Sequence, residues 1–137
     1  MRSYKTEMRT GTASALVEGA VAEMNAIGEE LQEWADGMPD NLQGGDKHST
    51  ITDAADALSG RQCDIDEFPC DEVAIPYSIS LPKRKKRSPS REVRLSNAIG
   101  MVQAVIEFYS GLDEDYSDII DQLEELTEEV DIPGVYG

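Results

Sequence analysis

Pro82-Lys83-Arg84-Lys85-Lys86-Arg87-Ser88-Pro89-Ser90 is the segment of this chain whose residue types can do the most chemistry. With Arg91 and Arg94 it holds seven of the twelve basic residues. A run of cations at this density can neutralise several phosphates, of a nucleic acid or of a phosphorylated small molecule, or serve as a nuclear import signal in a eukaryotic cell. No aromatic residue lies between the cations, so base stacking is not provided for. Nucleic-acid contact, expected only through this segment, would then be backbone-directed and strongly salt-sensitive. The competing expectation is that the segment folds onto the protein's own acidic face and offsets repulsion there.

The remaining candidates for chemistry fail on spacing. Asp113-Glu114-Asp115 with Asp118 could gather a divalent ion, but the glycine and terminal Glu of an EF-hand are missing, and no Glu-x-x-His pair marks a di-iron bundle. His48, the single histidine, sits in a polar turn with no nucleophile fixed beside it. Gly44-Gly45-Asp46-Lys47 lacks the upstream glycine and strand of a phosphate loop. Cys63 and Cys70 are too far apart for a Cys-x-x-Cys redox or zinc motif, and the acids between them would raise a thiol pKa rather than lower it. Two reduced, half-buried thiols are expected, with a local disulfide as the alternative in an oxidising compartment. No catalytic residue, metal site or cofactor is predicted, and the chain reads as a non-enzyme.

Charge segregation is the dominant compositional fact. From Leu95 to Gly137 there are eleven acidic side chains and no basic one, and the net charge of the chain is −16. Such a charge keeps a protein soluble and argues against nucleic-acid binding over most of its surface. Rows of carboxylates suggest instead a surface that imitates the phosphates of a duplex, displayed by Asp118, Asp121, Glu125 and Glu128 provided the apolar seam of their helix faces inward. No stretch approaches the roughly 20 apolar residues of a membrane span, and the start lacks the apolar run of a signal peptide, so a cytoplasmic setting without membrane contact is expected.

The elements that must position these residues read as helices. Val17, Ala20, Met24, Ile27, Leu31, Trp34 and Met38 recur at steps of three and four, a seam capped by Thr12 or Ser14 and stopped at Gly37-Met38-Pro39. A shorter helix restarts at Ser49 or Thr50, through Ile51, Ala54, Ala55 and Leu58, and ends at Gly60. Ser90 caps a third helix through Leu95, Ala98, Ile99, Val102, Val105, Ile106 and Tyr109 to Gly111. Asp113 or Asp115 starts a fourth, with Tyr116, Ile119, Ile120, Leu123, Leu126 and Val130 on one face, ending before Pro133. Acids at the end of that helix oppose its dipole, so the last turn should fray or meet a cation from the basic segment or the N-terminal arm. Val73 to Leu81 alternates like an extended segment, but no second strand is in sight. The expected fold is therefore all-α: a mobile basic arm (1–12), a helical hairpin (13–60), a long Pro-containing extended linker carrying the basic segment (61–90) and an acidic helical hairpin (91–137). The two hairpins would form a four-helix bundle, or complete their cores only in an oligomer.

The run from Glu29 through Trp34-Ala35-Asp36-Gly37-Met38-Pro39-Asp40-Asn41-Leu42-Gln43, followed by the Ala-rich helix at Ala54 to Leu58, resembles small acidic helical proteins of unknown function from tailed bacteriophages. The resemblance covers about a third of the chain, brings no catalytic residues, and implies a host cytoplasm or a virion as the setting. The leading expectation is a phage-encoded protein that docks on a host macromolecule and inhibits a nucleic-acid-binding or defence protein by acidic mimicry. Its protein-binding candidates are Asp118, Asp121, Glu125, Glu128, Trp34 and Met38. The alternatives are a virion structural or assembly protein, with homo-oligomeric contacts, and an oligomeric bundle that sequesters a phosphorylated small molecule with Lys83, Arg84, Lys85, Lys86, Arg87, Arg91 and Arg94.

Overall fold

A computed structural model describes residues 4–83, 90–128, 130 and 132. The elements run β1 (Tyr4–Gly11), α1 (Ala13–Asp36), α2 (Asp46–Ser59), β2 (Ile75–Pro82), α3 (Arg91–Ser110) and α4 (Ser117–Glu125). The two strands pair antiparallel from Tyr4 opposite Pro82 to Gly11 opposite Ile75. Each half of the chain is thus a strand, a long helix and a shorter helix, and the strand pairing joins the halves.

This corrects the expectation of an all-α bundle in two places. The segment 1–12, read as a mobile arm, contains β1, and part of the segment 61–90, read as a linker, is β2. The alternation over Val73 to Leu81 was a true signal: Ile75 and Ile79 are buried, while Pro76 and Ser78 are exposed. Its partner gave none, because Lys5 to Thr10 are all exposed and β1 has no apolar face to alternate. Backbone hydrogen bonding to β2, with β-favouring Tyr4, Thr6 and Thr10, holds β1 in place of burial.

The helices follow the sequence signals closely. Thr12 Oγ1 accepts from the Ala15 amide at 3.3 Å and Ser90 Oγ from the Val93 amide at 3.3 Å, so both long helices start at their side-chain caps. They end at Gly37 and Gly111. Helix α2 begins earlier than its apolar pattern, with Asp46 in its first turn beside the positive end of the dipole. Helix α4 is shorter than expected. It starts after Asp115, whose carboxylate accepts the Ser117 amide at 3.0 Å, and ends at Glu125.

Helix α1 packs against α2 and α3, while α3 also packs on β2 and α4. Their apolar residues form one continuous core that includes Val17, Met24, Ile27, Leu31, Ile51, Leu58, Val102, Val105, Tyr109 and Leu123. The α1–α2 approach is tight at Gly28, where an added Cβ would lie 2.4 Å from Ser59 Oγ and 2.7 Å from the Ser59 amide nitrogen. No polar or charged residue is buried among the described residues.

Candidate functional site

The sequence nominated two surfaces, one anionic and one cationic, and the fold treats them differently. Helix α4 turns Leu123 into the core, half-buries Ile119 and Ile120, and leaves Asp118, Asp121 and Glu125 exposed, with Glu128 exposed beyond its end. Between Asp118 and Glu125, also counting exposed Glu124, four carboxylates span about 10 Å of helix, or one per ~3.5 Å. A single strand of B-DNA carries one charge per ~3.4 Å of axis.

Trp34 and Met38, the apolar members of the nominated docking surface, are half-buried against the core. Lys47 Nζ stands 5.4 Å from the centre of the Trp34 ring and Arg91 Cζ 5.7 Å, two cations flanking one aromatic. The ring therefore ties the starts of α2 and α3 to the end of α1, which leaves less of it for a partner.

Of the nominated phosphate-binding residues, Arg84 to Arg87 lie outside the described residues and Lys83 is exposed. Arg91 and Arg94 are committed within the chain. Arg94 bonds Glu23 through Nε and Glu30 through Nη1 at 2.8 Å, and Arg91 Nε meets Glu30 at 3.3 Å. Burial opposes the charge on Arg94, but the hydrogen bonds it donates to Glu30 and Glu23 outweigh that and raise its pKa. Arg91 and Arg94 thus neutralise α1 carboxylates. Arg94 borders an open cleft of about 480 Å³ between the ribbon and helices α1 and α3, lined also by Arg9, Tyr77, Glu23, Asn97 and Met101.

Four residues that sequence reasoning passed over organise the surroundings. Asn97 of α3 donates to the Ser80 carbonyl and accepts from the Ser80 amide, both at 2.9 Å. It occupies the edge of β2 opposite β1, as a further strand would, so the open edge of the ribbon is that of β1. Asp71 accepts from both the amide and the hydroxyl of Ser14, at 2.9 and 2.7 Å, so the positive end of α1 already holds a carboxylate. The bonds from the Ser14 amide, then its hydroxyl, hold the Asp71 carboxyl below the usual carboxylate range. Arg61 donates to the Leu126 carbonyl at 3.0 Å and to the Glu128 carbonyl at 2.6 Å. It is the cation that the acidic end of α4 required, supplied by the turn after α2 rather than by the basic segment or the N-terminal arm. Burial draws its guanidinium below its ordinary value, with the nearby Glu128 charge working the other way. Tyr109, buried, donates to the Pro69 carbonyl at 2.9 Å and pins the loop before β2. Burial, then the charge of Asp71, pushes its hydroxyl up to about 12.

The other candidates for chemistry stay apart. His48 is half-buried in the first turn of α2. Cys63 and Cys70 are free and half-buried, and burial raises the Cys63 thiol, with the charges of Asp64 and Glu18 adding to it. Among the described residues no group of three or more His, Cys, Asp or Glu side chains could hold a metal ion. None of the helices described is long and apolar enough to cross a membrane. The chain matches no family model, no curated protein and no solved structure.

Proposed function

We propose that this is a non-enzymatic interaction protein, phage-encoded, that docks on a host macromolecule and inhibits a nucleic-acid-binding or defence protein through its acidic helical face. The observation that carries the reading is the outward display of Asp118, Asp121, Glu124 and Glu125 on α4 at the linear charge density of one DNA strand. The inward-facing seam that such a display needs is met by Leu123 and Leu126. Among the described residues none of those carboxylates is held in an ion pair, and Arg61, near the end of α4, donates to backbone carbonyls instead. The phage setting rests on the resemblance around Trp34. Sequestration of a small phosphorylated ligand is less well supported, since Arg91 and Arg94 are already paired.

The test is competition. A pull-down from host lysate at two salt concentrations identifies the partner, and a labelled DNA duplex bound to that partner should be displaced by the protein, less so at high salt. The variant Asp118→Asn, Asp121→Asn, Glu125→Gln, Glu128→Gln should lose displacement while melting like the parent. Retained displacement by that variant would remove the proposal.

A further inference from the structure

The hydrogen bonds of Ser80 fix which backbone groups of β1 face its open edge. Both the amide and the carbonyl of Ser80 are engaged by Asn97, on the side of β2 away from β1. In an antiparallel ladder, a residue that turns both groups away from its neighbour strand belongs to a non-hydrogen-bonded pair, so Thr6, opposite Ser80, turns its own away from β2. The prolines agree: Pro76 and Pro82, with no N–H to give, stand in the same alternate set, opposite Thr10 and Tyr4. Thr6, Met8 and Thr10 therefore offer their amides and carbonyls outward, while Lys5, Glu7 and Arg9 face β2 with theirs.

That edge is open and regular. Among the described residues the sheet has two strands, and no other backbone bond reaches the outward groups. The strand runs unbroken over eight residues, with no proline or bulge to blunt it. Lys5 to Thr10 are all exposed, and Met8, at 68%, is the most exposed large apolar residue described.

The side chains along the edge complement themselves. Thr6-Glu7-Met8-Arg9-Thr10 reads the same in both directions except that Glu and Arg change places. When two copies of β1 meet antiparallel about a two-fold axis at Met8, the outward groups of Met8 face those of the partner's Met8, and Thr6 faces the partner's Thr10. Glu7 then stands opposite the partner's Arg9 at a non-hydrogen-bonded position, where side chains are closest, and Lys5 stands opposite glycine. Because Glu7 already bonds Arg9 of its own strand at 3.1 Å, the four charges alternate in sign. Moving the axis to Glu7 would set Glu7 against Glu7 and Lys5 against Arg9, like charges at both positions. Moving it to Thr6 would pair only Tyr4 to Met8 and leave Arg9 outside the contact.

We propose that β1 pairs with β1 of a second copy of this chain, antiparallel about Met8, joining two ribbons into one four-stranded sheet ordered β2, β1, β1, β2. In a chain of net charge −16, the two strands hold Lys5 and Arg9 against Glu7 alone, so this is a pole at which two copies can approach. Asn97 closes the far edge of each β2, so the assembly stops at two. The contact is separate from the α4 carboxylates, and either reading can fail without the other.

The experiment is sedimentation equilibrium of the full chain between about 10 and 500 μM, a range suited to an interface at the small end of the size classes. A monomer–dimer equilibrium is expected. Glu7→Arg and Arg9→Glu should each weaken the dimer at least about tenfold, since every substitution enters the symmetric contact twice. An equimolar mixture of the two variants should recover a heterodimer, because every position of one strand then faces the opposite charge on the other. Met8→Pro removes an outward N–H without touching the ladder to β2 and should abolish dimerisation. A monomer at every concentration, assemblies larger than two, dimerisation undiminished in any of the three variants, or a mixture no more associated than its components would each overturn the proposal.

Discussion

Replacing Gly28 with alanine should destabilise the protein, although alanine is the better helix former. In an exposed helix interior the exchange gains about 1 kcal/mol. Here the new Cβ would sit 2.4 Å from Ser59 Oγ, 2.7 Å from the Ser59 amide nitrogen and 3.1 Å from the Ala55 carbonyl oxygen, so the end of α2 must move, not merely a side chain. Overpacking costs about 1–3 kcal/mol, and backbone contacts this short place it at the upper end. The net loss is about 2 kcal/mol, a fall in Tm of roughly 8 °C at this chain length. Gly100, in the interior of α3, is the control: nothing lies within 4 Å of a Cβ added there, and Gly100→Ala should raise Tm by about 2–4 °C. Adding Ser59→Ala to Gly28→Ala removes the 2.4 Å contact but not the 2.7 Å one, so it should recover only part of the loss. Thermal melts by circular dichroism read all three. A Gly28→Ala protein as stable as Gly100→Ala would refute the close α1–α2 approach.

Arg94→Ala should cost about 1 kcal/mol at low salt through its two half-exposed ion pairs, and the difference from the parent in urea denaturation should shrink in 1 M salt, where the Debye length is about 3 Å. Arg61→Ala removes two charge-assisted bonds to the Leu126 and Glu128 carbonyls, about 2 kcal/mol, and hydrogen exchange should quicken first in the segment following α4. The lowered pKa of Asp71 means that its ionised form favours the folded state: the contribution is complete above the unfolded value of about 3.9 and is lost as pH falls through the lower folded value. Asp71→Asn should therefore be less stable than the parent at pH 7, with a gap that narrows as pH falls below the unfolded value; a gap that stays constant with pH would contradict the bond to Ser14.

Helix positions were legible because their signals are local. The seam from Val17 to Met38, the caps Thr12 and Ser90, and the stops at Gly37, Gly60 and Gly111 each act within a turn or two of chain. Helix α4 was overrun because its apolar pattern continues through Leu126, Val130 and Ile132, which are covered but lie outside the helix. Arg61 was unreadable as the partner of the α4 end because its acceptors, 65 and 67 residues away, are backbone carbonyls, which no residue type announces. Asn97 was equally silent: an amide on a helix face shows no sign that it will close the edge of a strand seventeen residues earlier.

The sequence by itself determined the four amphipathic helices, the lean aliphatic core and the separation of anionic from cationic segments, since periodicity and charge order are properties of neighbouring residues. Tertiary structure alone decided that Tyr4–Gly11 is a strand and that it joins the first half of the chain to the second. Pairing between strands is made by backbone groups common to every residue, and an exposed strand needs no apolar alternation to form it. Only the folded chain, by bringing β2 within hydrogen-bonding reach, gives Tyr4–Gly11 a reason to be extended.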